Sequence, residues 1–104
     1  MSNLQQEEEI LTREVHRKGQ AERIFNDQLF QDAVSAIKDG IWKDFAASDL
    51  KDNEARTLAR LKLDVLNKLL TDLRRHIETG RLSEGRLAQI QDIIKRNTRR
   101  RRTP

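Results

Sequence analysis

The chain has 104 residues, 36% of them hydrophobic and 37% charged, with no cysteine, no tyrosine and a single proline at position 104. This composition excludes a disulfide frame, a thiolate metal site and a cysteine nucleophile, and so few turn formers and aromatics argue against a sandwich or barrel. Leu, Ile, Val and Phe number 27 and the net charge is only +4, so the chain lies outside the disordered class and should fold by packing helices or by leaning on partners.

The charge is unevenly spread. Residues 1–54 hold 7 Lys/Arg against 12 Asp/Glu, a balance of −5, and residues 55–104 hold 14 against 5, a balance of +9. The last ten residues carry Lys95, Arg96, Arg99, Arg100, Arg101 and Arg102 with no acid. Without them the body is slightly acidic, so the basic character belongs to the C-terminal segment.

Four helical segments are expected in chain order. The first, from about Leu4 to Lys18, has sparse apolar residues at Leu4, Ile10, Leu11 and Val15. Glu7, Glu8 and Glu9 sit near its N-terminus, where the helix dipole favours them. A helix this polar reads as an arm over residues 1–19, with Gly19 as the break. The second segment runs from about Gln20 to Ala47. Phe30, Val34, Ile37, Ile41 and Phe45 recur at steps of 4, 3, 4 and 4, which is one helix face. Asn26 or Asp27 can cap a new start there. Gly40 interrupts this face, either as a plain helix weakness or as a point of close helix approach.

Residues 48–53 read as a loop with Asp49 and Asp52 available as caps. The third segment then runs from about Asn53 to Thr79, about 40 Å long, with Gly80 expected as the C′ glycine. It carries two apolar stripes: Ala59, Leu63, Leu66, Leu70, Leu73 and Ile77, and beside it Leu58, Leu61, Val65 and Leu69. The first has coiled-coil spacing. Together they make a face too wide for one neighbouring helix, so self-association is expected. Its core or oligomer residues are Leu58, Leu61, Leu63, Leu66, Leu69, Leu70, Leu73 and Ile77. The fourth segment is expected to start at Ser83 as N-cap, with Leu82 and Leu87 as a hydrophobic staple. Residues 98–104 read as a disordered basic tail.

Catalysis has little support. His16 and His76 lack partners at ligand spacing, and the scattered glycines cannot cradle a phosphate. The chain therefore reads as non-enzymatic, with no cofactor and no metal. Trp42, with Phe45 near it, fits core or interface better than a stacking platform. The strongest local signal is the tail. Lys95, Arg96, Arg99, Arg100, Arg101 and Arg102 can neutralise several phosphates at once, and guanidinium groups grip phosphate bidentately. An acidic protein surface is the alternative partner. A small regulator is a further alternative, with Gly80, Arg81, Leu82 and Ser83 as the turn of a helix-turn-helix and Arg86, Gln89 and Arg96 facing a groove.

The block from Ala21 to Leu82 resembles a family of small helical proteins of tailed phages and prophages. The residues that carry the resemblance are Ala21, Glu22, Arg23 and Ile24, then Asp27, Leu29, Phe30, Ala33 and Trp42. After the loop they are Asp52, Glu54, Ala55, Arg56, Leu61 and Leu63, and finally Ile77 through Leu82. The resemblance implies a place among head-assembly and DNA-packaging proteins, with phage structural or packaging proteins as partners.

The expected fold is all-α: a long antiparallel helical hairpin with a polar N-terminal arm over 1–19, a helical domain over 20–97 with a short C-terminal helix, and the tail over 98–104. The expected function is binding and oligomerisation in virion assembly or DNA packaging, with the tail on nucleic-acid phosphates. A scaffold-like protein docking its tail on an acidic surface is the rival. The N-terminal residues lack a signal-peptide pattern, and no run is apolar enough to span a bilayer. A host cytoplasm or a virion is the expected place, with no membrane partner.

Overall fold

A computed structural model describes residues 2–102, with side chains over residues 3–98. It contains three α-helices, α1 (Ser2–Asn26), α2 (Gln28–Ala47) and α3 (Asn53–Arg102), and no strand among the described residues.

Two capping devices break the chain. At Asp27 the backbone turns extended, with φ −73° and ψ 123°. Its carboxylate accepts the N–H of Phe30 at 2.9 Å, supplying a partner that the first turn of α2 lacks. Phe25 and Phe30 meet edge to face across this break at 5.9 Å. At the far end of α2, Ser48 donates its N–H to the carbonyls of Asp44 and Phe45. Asp52 then starts α3, its carboxylate accepting the N–H of Ala55 at 3.0 Å. Of the capping residues legible in the sequence, Asp27 and Asp52 act.

Three expected breaks are absent. Gly19 lies inside α1, and Gly80 and Ser83 lie inside α3. No proline follows either glycine closely, and no glycine in the chain takes a positive φ, so nothing forces the helix to stop. Segments three and four are therefore one helix of 50 residues. Without a turn at residues 80–83 the helix-turn-helix reading fails. The staple fails with it, because Leu82 is left largely exposed. The helix also continues through residues 98–102, where disorder was expected. Thr98 donates its hydroxyl to the Ile94 carbonyl at 2.9 Å. The side chains of Arg99, Arg100, Arg101 and Arg102, and all of Thr103 and Pro104, lie outside the described residues.

The chain packs as two units. One combines the residues up to Glu22 with those from Arg75 onward, and the other is Arg23–Arg74. In the first, Ala21, Gly80, Ser83 and Ile90 are buried, and Ile90 is wholly enclosed. At Gly80 the two helices pack backbone to side chain with no room for a side chain on α3. A Cβ there would overlap the Cβ of Lys18 and come within 3.0 Å of the Glu14 carbonyl oxygen. The buried Ser83 hydroxyl donates to the Glu14 carboxylate. Arg86 grips Glu7 through Nε at 2.7 Å and Nη2 at 3.4 Å. Lys18 reaches Glu84 at 2.9 Å and Glu22 at 3.1 Å. The polar segment expected as an N-terminal arm is thus held against α3 at Glu7, Glu14 and Lys18. The hydrogen bond from Arg86 holds the Glu7 carboxyl below its ordinary value. Hydrogen bonds to Glu84 and Glu22 push the Lys18 ammonium up.

Two tests follow from this packing. Gly80→Ala should lower stability, because a rigid Cβ contact outweighs the helix-propensity gain of about 1 kcal/mol. Gly85→Ala, whose Cβ meets open space, should raise stability by up to that amount. Chemical denaturation of both variants reads the difference in sign. The second test is pH. A depressed carboxyl stabilises the fold above its unfolded pKa, and that contribution disappears as pH falls through the folded value. Glu7→Gln should therefore be less stable than the parent at pH 7, and the gap should close as pH drops below the ordinary value of 4.5. Thermal melts across that window measure it.

Candidate functional site

The second unit, Arg23–Arg74, leaves much of its apolar surface uncovered. Here α2 supplies the cover for the first part of α3. Ile41, Ala59, Leu66 and Leu70 are buried, the last two at 7% and 4% exposure. Phe45 lies beside Arg56, whose guanidinium sits 5.2 Å above its ring. Arg74 stands 5.8 Å from the Phe25 ring.

The two stripes foreseen on α3 separate sharply. Ala59, Leu66 and Leu70 of the first are buried, and Leu73 and Ile77 are half-buried, while Leu63 stays exposed at its edge. The second stripe, Leu58, Leu61, Val65 and Leu69, is exposed throughout. The reason is angular. Successive residues turn by 100°, so the second stripe lies roughly a third of a turn away from the first. One covering helix reaches only one of them.

Two apolar clefts flank the covered stripe. One, of about 460 Å³, is lined by Ile37, Ile41, Leu61, Lys62, Val65, Leu66 and Leu69. The other, of about 240 Å³, is lined by Ile41, Trp42, Phe45, Ala59, Arg60 and Leu63. Trp42 stacks on Phe45 at 5.8 Å with an interplanar angle of 22°, and it remains 68% exposed. The spacing of the α2 face puts Ile37 among its core residues, yet Ile37 is half-exposed and lines the larger cleft. Nothing in the spacing of Ile37 separated the flank of that face from its centre.

The basic candidates lie elsewhere on α3. Lys95 and Arg96 are exposed, and Arg96 pairs with Asp92 at 3.0 Å. Arg99, Arg100, Arg101 and Arg102 continue the helix backbone. Among the described residues, no cluster of His, Cys, Asp or Glu could hold a metal ion, and no helix is long and apolar enough to cross a membrane. No family model matches the chain, and no curated protein or solved structure is detectably similar to it.

The division between covered and uncovered stripes is directly testable. Leu66→Asp or Leu70→Asp buries an unpaired carboxylate and should cost at least about 3 kcal/mol, with loss of helical circular dichroism. Val65→Asp, on the uncovered stripe, should keep full helical signal. Equal loss in all three variants would mean that the second stripe is also covered.

Proposed function

We propose that the chain is a non-enzymatic binding protein of phage or prophage origin. Its body associates through the uncovered apolar face, and its C-terminal segment contacts nucleic-acid phosphates during head assembly or DNA packaging. The observation that carries the binding reading is the row of Leu58, Leu61, Val65 and Leu69, each more than half exposed. Contiguous apolar surface of this kind marks interaction sites on folded proteins. The phage setting rests on the sequence resemblance over Ala21 to Leu82.

The scaffold that presents the face is an antiparallel hairpin of α2 and the first part of α3. Its support is the order of neighbours, with Phe45 beside Arg56 and with Ile37 lining the same cleft as Leu66 and Leu69. The C-terminal segment supplies Lys95, Arg96, Arg99, Arg100, Arg101 and Arg102, six cationic residues with no acid among the last ten positions, and such groups suit a phosphate backbone. Such contacts give affinity without sequence preference.

Full-length protein should bind two unrelated duplexes equally and weakly by fluorescence anisotropy. Four phosphate contacts give a slope of log K against log salt near −3.6, from about −0.9 per contact. Deletion after Asn97 should abolish binding at physiological salt and leave the helical signal of the body intact. If the truncated chain binds as well as the full one, the contact lies outside this segment. If neither form binds at low salt, the nucleic-acid reading fails, and an acidic protein surface becomes the partner to test.

A further inference from the structure

We propose that the smaller cleft is a site for unpaired nucleic acid, in which one base stacks on Trp42 while Arg60 and Arg56 meet the phosphates beside it. The site lies wholly within the unit Arg23–Arg74. It does not depend on the C-terminal segment, and it adds contact with bases to contact with phosphates.

The first observation is the setting of the tryptophan. Tryptophan is largely buried in most folded chains, yet Trp42 is 68% exposed. Its ring is nevertheless seated, stacked on Phe45 at 5.8 Å and 22°. Phe45 in turn lies under the Arg56 guanidinium, 5.2 Å from its centroid. The result is a flat ring, fixed from below, with most of its surface in water. Every base has a π-face, so stacking on such a ring accepts any of them.

The second observation is the charge around the ring. Ile41, Ala59 and Leu63 make the cleft apolar, and the charged residue in its lining is Arg60. Arg60 is exposed and has no ion pair among the described residues. Arg56 stands one turn earlier on α3, and side chains four apart share a helix side. A guanidinium carries five N–H donors. The hydrogen bond that Arg56 makes, from Nη1 to the Leu50 carbonyl at 3.5 Å, leaves donors to spare. The acids one turn from Trp42 and Arg60, Asp39 and Asp64, do not line the cleft.

The larger cleft supplies the contrast. Its lining is aliphatic apart from Lys62, and it holds no aromatic ring. The smaller cleft has about half the volume, 240 Å³ against 460 Å³, and combines an exposed ring with a guanidinium. An apolar peptide would fill its floor and leave Arg60 without a partner. A stacked base with its phosphate uses the ring and the charge together.

Trp42 is the only tryptophan and the chain has no tyrosine, so its emission reports the site directly. Titrating the intact protein with a short oligothymidylate should quench that emission saturably, and a duplex of equal length should not. Arg60→Glu should weaken the quenching at least about fivefold with helicity unchanged, and Arg60→Lys should restore part of it. Trp42→Leu should cost about tenfold in affinity for the single strand, read by anisotropy of a labelled oligonucleotide, with duplex affinity unaltered. Single-strand binding without quenching places the contact elsewhere and overturns the proposal, leaving the C-terminal segment as the nucleic-acid contact. Equal quenching by the duplex overturns base stacking. Emission that ignores both oligonucleotides but shifts blue as protein concentration rises also overturns it, and assigns the cleft to a protein contact.

Discussion

One helix laid against another covers a single stripe of its surface and leaves the rest of the circumference to other neighbours or to water, and that constraint governs this protein. In the unit Arg23–Arg74, α2 is the single long cover for α3, and α3 carries apolar residues over a wider arc than one helix can reach. The stripe centred on Ala59, Leu66 and Leu70 is therefore buried, and the stripe from Leu58 to Leu69 is not. The exposed stripe follows from the geometry of two cylinders in contact. A further helix is the smallest object that removes it from water.

The other unit meets the same limit with different chemistry. Its α1 is poor in apolar residues, and the side chains turned towards α3 include Glu7, Glu14 and Lys18. Exposed ion pairs contribute little each, generally below about 1 kcal/mol. The close packing at Gly80 and the enclosure of Ile90 are what bring the helices together, and the polar contacts fix their register. Arg86 holds Glu7 with two nitrogens and Ser83 holds Glu14, so a slide by one turn would break several contacts at once. The pair of helices is specified mainly by hydrogen-bond geometry, with a small apolar centre.

The functional reading divides along the same line as the charge. The body is nearly balanced, and what it offers is apolar surface with a modest sign difference between α2 and the first part of α3. The C-terminal segment offers six cationic side chains and no acid. These are different kinds of contact. Apolar association is insensitive to salt and demands shape, whereas phosphate contact is salt-sensitive and tolerant of sequence. On the proposed reading, the two kinds of contact on one chain would bring an assembly and a nucleic acid into proximity.

The sequence by itself determined the all-helical fold, a loop at 48–53 that the structure ends one residue earlier, cap candidates among which Asp27 and Asp52 act, and the apolar residues of α3. Each is local: helical periodicity, a carboxylate placed to accept a free N–H, or a run of polar residues between two periodic ones. Gly80 and Ser83 show where local evidence ends. A glycine three residues before a serine reads as a stop and a start. In the folded chain both face α1, the glycine making room for Lys18 and the serine bonding Glu14. The same holds for Glu7, polar in any sequence reading and yet an interface residue through Arg86, 79 positions away. Tertiary structure alone decided which of the two stripes on α3 is covered, because that depends on where α2 lies, and both stripes are equally apolar when read from the sequence.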